Sequence, residues 1–156
     1  MLHDFLNIGE VKAFKEPARL TCYGLGSCIG VFLYDFQNKV GGGAHIALSK
    51  NSSEGNSENP LQFAEEALKE LLIQVDGVGI LKPTSLRAKV IGGANVMKGD
   101  GFKIGQKNIE TVKKFLVQNQ VFIAGLDVGG NDFRTGKFET STGKLIVTTS
   151  TKKYEI

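Results

Sequence analysis

The stretch "CIGVFLYDFQNKVGGGAHIA", residues 28–47, decides the fold. Its two apolar runs, Cys28–Asp35 and Val40–Ala47, carry the β-branched and aromatic residues of strands and are separated by a short polar connection. That pattern predicts a β-hairpin. The segment entering it, Gly24-Leu-Gly26-Ser-Cys-Ile-Gly30, looks at first like a phosphate-binding loop. A phosphate loop needs its glycines to open a helix, whose N-terminal amides meet the anion. Here a strand follows, no Gly-Lys-Ser/Thr occurs elsewhere, and the nucleotide reading fails.

Working outward, Arg19–Tyr23 reads as another strand. Residues 49–60 form the most polar stretch, without apolar periodicity, and read as a surface loop. Asn59-Pro60 has the signature of a helix start, Asn as N-cap and Pro in the first turn. Leu61, Ala64, Leu68, Leu71, Leu72 and Val75 then follow at helical spacing until Gly77. Arg87–Ile91 is a strand running into Gly92-Gly93-Ala94-Asn95. A second helix is expected over Asn108–Gln118, with Ile109, Val112, Phe115 and Leu116 on one face and Lys113 and Lys114 outside. Val121–Leu126 reads as a strand, and Arg134–Glu139 with Lys144–Thr149 as a hairpin. Strands and helices do not alternate as a parallel α/β fold requires. The expected class is α+β: mostly antiparallel β-sheets layered with two main helices on one side, an α/β/β-type sandwich forming one domain over residues 1–156.

Composition narrows the function. Of 156 residues 41% are hydrophobic and 22% charged, ordinary for a globular chain with a real core. The net charge is +3, but the lysines are scattered among glutamates, which argues against nucleic acid. The opening MLHDFLNIGEVKAF carries Asp4 and no apolar run of signal-peptide length, and no segment approaches the length of a membrane span. A cytoplasmic protein, not inserted in a membrane, is expected. Two cysteines are too few for a disulfide scaffold and remain thiols in a reducing compartment.

The only histidines are His3 and His45 and the only cysteines Cys22 and Cys28, at no spacing known for zinc, so no metal is expected. Cys28 leaves a tight glycine turn whose amides, including those at Gly26 and Ser27, can line a concavity for an anion. Such amides lower a thiol pKa and hold the oxyanion of a tetrahedral intermediate. If Cys28–Asp35 and Val40–Ala47 pair, Cys28 and His45 fall at the distal ends of one hairpin. Residue pattern alone leaves two readings open: a packed thiol with a satisfied histidine, or a nucleophile and its base. Asn95 is either a turn residue or a wall of that site, and Arg134 has Asp127 as a structural partner in reach.

"GLGSC" at 24–28, "AHIAL" at 44–48, "KVIGGANVM" at 89–97, "IGQKN" at 104–108 and "LDVGGNDFR…F" at 126–138 resemble, in order and spacing, the chemoreceptor glutamine deamidase family, CheD. The resemblance runs over nearly the whole chain. It implies a Cys–His amidohydrolase that converts selected glutamines in the cytoplasmic helical bundle of methyl-accepting chemotaxis receptors to glutamate, with Cys28 as nucleophile, His45 as base and no cofactor. It also implies complexes with a CheC-type phosphatase, so a weakly catalytic or non-catalytic adaptor is the alternative, and a Cys–His hydrolase of another amide a third.

The family's threonine six positions before the nucleophile falls on Cys22, and Thr21 stands one residue earlier. A one-residue shift in a strand turns a side chain to the opposite face, and a thiol is a poorer hydrogen-bond partner than a hydroxyl. Either a backbone carbonyl orients His45, a bulge brings Thr21 inward, or activity is reduced. Two neighbouring thiols also allow a Cys22–Cys28 disulfide under oxidation. Ser49 stands where the family usually has proline, which concerns the loop.

Overall fold

The computed structural model describes residues 1–50, 59–78, 85–96 and 101–156. The central hairpin forms as expected: β4 (Ile29–Asp35) pairs antiparallel with β5 (Val40–Ile46), Asp35 opposite Val40 and Gly30 opposite His45. The Asp35 carboxylate closes the turn by accepting the amides of Gln37 and Asn38 at 2.9 and 3.1 Å, a side chain standing in for a backbone turn bond.

β4 is the middle strand of a five-stranded sheet ordered β2 (Val11–Phe14), β5, β4, β6 (Arg87–Gly92) and β7 (Phe122–Val128). All seven of its residues are buried, because both faces of the sheet are covered. Ile29, Val31 and Leu33 pack towards α1 (Ala64–Gly77) and α2 (Gly101–Gln118), while Phe32 and Tyr34 meet a second sheet. Strand period sends alternate side chains to opposite faces, and a strand covered on both sides reads as one unbroken apolar run.

The second sheet is ordered β1 (Leu2–Phe5), β3 (Ala18–Leu25), β8 (Arg134–Glu139), β9 (Leu145–Thr148) and β10 (Lys153–Glu155). Phe32 and Phe138 stack across the two sheets with centroids 4.9 Å apart. α1 lies against β2 and β5, and α2 against β4, β6 and β7, so both helices cover one face. The result is the layered α+β sandwich expected. Six strand pairings are antiparallel; β1 with β3 and β6 with β7 are parallel.

Several boundaries differ from expectation. β1, β2 and β10 were not anticipated. β1 is largely exposed and pairs at a sheet edge, so it carries no apolar alternation. Asn59 does cap, accepting the Leu61 amide at 3.0 Å, but what it caps is a 3-10 turn, Pro60–Gln62. The α-helix starts only at Ala64, after Phe63 turns extended and buries its ring. α2 begins at Gly101 rather than Asn108, because Gly101 and Gly105 are poor helix formers and conceal the first turns. Gly105 is required for contact: a Cβ there would lie 2.6 Å from the Gly93 carbonyl oxygen. Most of the expected polar loop, residues 51–58, lies outside the described residues. Among the described residues no helix is long and apolar enough to cross a membrane.

Candidate active site

The turn between β3 and β4 holds Gly26, Ser27 and Cys28, and each of its three carbonyls has a donor. The Gly26 oxygen accepts the Ala94 amide at 2.7 Å and the Cys28 oxygen accepts the Gly93 amide at 2.8 Å. The Ser27 oxygen accepts the side-chain nitrogen of Asn108 at 2.9 Å. Gly92 makes this contact possible: its φ is +110° and a Cβ would sit 2.2 Å from the Cys28 oxygen. The amides of Gly26, Ser27 and Cys28 donate to no backbone carbonyl among the described residues. Cys28 is half-buried, and burial pushes its thiol pKa up while its own amide, facing the sulfur, pulls the other way.

His45 lies on β5 opposite Gly30, and Cys28 is two residues from Gly30 on the neighbouring chain. Strand period therefore puts Cys28 and His45 on the same face of the hairpin. That is the face turned to the second sheet, where Cys28 packs against the cluster of Leu6, Leu20, Cys22 and Leu25. His45 is 5% exposed, with Nδ1 2.9 Å from the carbonyl oxygen of Leu6. A carbonyl only accepts, so Nδ1 carries the proton and Nε2 is the lone-pair acceptor. Nε2 is buried without a partner among the described residues. Burial holds the His45 pKa below the ordinary histidine range, against the opposing pull of the Leu6 carbonyl and of Glu10. Both shifts favour the uncharged forms, a protonated Cys28 thiol and a neutral His45 imidazole with its acceptor nitrogen open.

Cys22 is fully buried and its Sγ lies 3.8 Å from the same Leu6 oxygen. Its thiol pKa is pushed far up, by burial first and then by Cys28 and Glu10. Both cysteines are free thiols. Thr21 does not join them. Cys22 and Leu20 point into the intersheet core, whereas Thr21 pairs in register with Phe5 and Lys137 on the other face. The β3 irregularity falls after Cys22, between it and Leu25, so it does not turn Thr21 inward.

Asn95 donates its amide to the Gly130 carbonyl at 2.8 Å, and its side-chain oxygen is buried without a partner among the described residues. It lines a groove of about 710 Å³ with Gly93, Ile109, Glu110 and Gly129. Arg134 is buried and pairs with Asp127 at 3.3 Å while donating to the carbonyls of Gly92 and Gly129, the structural role expected of it. Tyr154 donates to the same Asp127 carboxylate. Two participants escaped sequence reasoning. Leu6 acts through its backbone, which leaves no residue signature. Asn108 stood at the expected start of the second helix, and nothing there marked a contact with the turn at Ser27. Among the described residues no cluster of three or more His, Cys, Asp or Glu side chains has the geometry to hold a metal ion.

A family model described as CheD chemotactic sensory transduction matches residues 45–149. "Chemoreceptor glutamine deamidase CheD" of Thermotoga maritima is 37% identical over 142 residues, covering 91% of this chain and 88% of the relative. "Probable chemoreceptor glutamine deamidase CheD" of Clostridium botulinum strain Alaska E43 is 37% identical over 147 residues, 90% of this chain and 88% of the relative. Its namesake in Clostridium novyi is 37% identical over 148 residues, 92% and 91% respectively. With the family model spanning well over half of the chain and these relatives matching nearly end to end, the chain belongs to the CheD family.

Proposed function

We propose that this protein is a cytoplasmic protein-glutamine deamidase that hydrolyses selected glutamine side-chain amides of methyl-accepting chemoreceptors to glutamate and ammonia through a Cys28 thioester. The observation that carries the reading is the open Nε2 of His45, buried and unpartnered on the hairpin face it shares with Cys28. A base held in the right tautomer with nothing to accept from is a group prepared for a proton that arrives during a reaction.

In this reading Nε2 takes the proton from the Cys28 thiol as sulfur attacks the carboxamide carbon. The carbonyl π-electrons move to oxygen, and the unpaired turn amides hold the oxyanion. The intermediate collapses, the C–N bond breaks, and His45 returns its proton to the departing nitrogen, which leaves as ammonia. A water then gives a proton to Nε2 and attacks the thioester carbon. The C–S bond breaks, sulfur recovers the proton, and glutamate is released. The neutral resting pair fits proton transfer at the moment of attack better than a standing thiolate.

The test is incubation with a receptor cytoplasmic fragment and mapping of glutamine-to-glutamate conversion by peptide mass spectrometry. Conversion by wild type that disappears in Cys28→Ala is expected; conversion that survives in Cys28→Ala sinks the mechanism. The weak contact of Cys22 at 3.8 Å, where the family pattern has a hydroxyl, favours one second reading. In it the chain binds a CheC-type phosphatase as an adaptor, and no conversion by wild type with intact phosphatase binding is its signature.

A further inference from the structure

We infer that Asn108 is a positioning residue that aims the Cys28 amide into the site as an oxyanion donor and fixes the nucleophile's turn to the strand carrying the base. The inference deepens the deamidase reading and rests on it.

Asn108 is fully buried on α2. A carboxamide nitrogen has two hydrogens, and both are used: Nδ2 donates to the Ser27 carbonyl at 2.9 Å and to the Ala47 carbonyl at 2.9 Å. Ser27 precedes the nucleophile, and Ala47 lies two residues beyond His45. One side chain therefore spans the two halves of the site. Its Oδ1 is buried without a partner among the described residues. A fold that leaves that oxygen unpaired, while spending both donors on two backbone carbonyls, places Asn108 for its donors.

The direction of the effect follows from peptide geometry. In a planar trans peptide the carbonyl and the following N–H point in opposite directions. Drawing the Ser27 oxygen towards Asn108 turns the Cys28 N–H away from α2. The Ala94 amide does the same one residue earlier, drawing the Gly26 oxygen and turning the Ser27 N–H outward. Neither amide donates to a backbone carbonyl among the described residues, and that of Cys28 lies beside its own sulfur, where the attacked carbonyl would arrive. Preorganised donors of this kind act on charge that exists only in the transition state, so their loss is read in kcat rather than in KM.

The experiment measures kcat and KM for conversion of receptor-fragment glutamine by Asn108→Ala, beside the rate at which iodoacetamide alkylates Cys28. Alkylation needs the thiol and its base but develops no oxyanion. Asn108→Ala is expected to lower kcat by about 10²–10³-fold, with KM and the alkylation rate within about threefold of wild type. A fall in alkylation parallel to kcat, or a rise in KM with kcat unchanged, makes Asn108 a packing residue and overturns the inference. If the alanine variant does not fold, Asn108→Ser, which keeps one donor, is measured instead with the same expected split; if neither folds, the inference fails. Should wild type convert no glutamine, the deamidase reading falls first. The oxyanion role is then read from acylation of Cys28 by p-nitrophenyl acetate, where an unaltered acylation rate in Asn108→Ala refutes it.

Discussion

His45 presents Nδ1 to the backbone carbonyl oxygen of Leu6 at 2.9 Å, so its ring is oriented by main chain rather than by a side chain. The carbonyl is held in turn, because the Leu6 amide donates to the Thr21 carbonyl at 2.9 Å and the Leu6 side chain is buried in the intersheet core. The tautomer of His45 therefore survives changes at Cys22.

That gives the first prediction. Cys22→Ala keeps kcat/KM within about threefold of wild type and lowers stability by about 1–2 kcal/mol, the scale of a small buried group lost. Cys22→Thr likewise stays within about threefold, since the hydroxyl duplicates a role Leu6 already fills. Steady-state kinetics and urea unfolding check both. A loss beyond tenfold in Cys22→Ala would give the orienting role to the thiol.

A second prediction follows from the depressed pKa of His45, whose largest cause is burial. The unfolded chain takes up a proton near pH 6.5 that the folded state still refuses. Stability from this group is therefore fully present above about pH 6.5 and is lost as pH falls from there through the lower folded pKa. The urea midpoint of wild type should drop between about pH 7 and pH 5 more steeply than that of His45→Gln. Activity should follow the same group, with kcat/KM flat through neutral pH and falling on the acid side. Equal acid slopes for wild type and variant would place the buried proton acceptor elsewhere.

The Arg134 network supplies a third. Its guanidinium ties Asp127 to the Gly92 and Gly129 carbonyls, and Gly92 backs onto the Cys28 oxygen. Arg134→Met removes one partner of a largely buried pair and takes the donor from the Gly129 carbonyl, while the Gly92 carbonyl keeps the Gly129 amide, at a cost of about 3 kcal/mol. Urea denaturation measures it, and a cost under about 1 kcal/mol would contradict the buried-pair account.

Much of this architecture was legible because the central strand is covered on both faces. The run from Cys28 to Asp35, the polar turn and the second run to Ala47 place the β4–β5 register within one residue of that observed. The two apolar helix stripes then required a sheet to cover. What stayed hidden was held by contacts that sequence does not mark. β1 is a parallel edge strand whose residues are mostly exposed, so nothing in Leu2–Phe5 alternates. The opening turns of α2 carry glycines that propensity argues against, and only the close approach to the Gly93 and Ala94 carbonyls explains Gly105. At the site, Cys28 and His45 stood out by scarcity and by hairpin geometry. The acceptor that orients His45 belongs to a leucine, and any residue type offers the same carbonyl. Asn108 lies 81 positions from Ser27, in a segment read only as a helix start and a family motif, and its two bonds depend on the packing of α2 against β4.

In the proposed mechanism a glutamine side chain is carried as a thioester on Cys28. Hydroxylamine competes with water for such an ester and converts the acyl group to a hydroxamate. Incubating the protein with a receptor cytoplasmic fragment and hydroxylamine, followed by peptide mass spectrometry, tests the claim most directly. Glutamyl hydroxamate is expected at the same positions that otherwise become glutamate, and neither product in Cys28→Ala. Glutamate formation without hydroxamate at any hydroxylamine concentration, or hydroxamate that persists in Cys28→Ala, would contradict it.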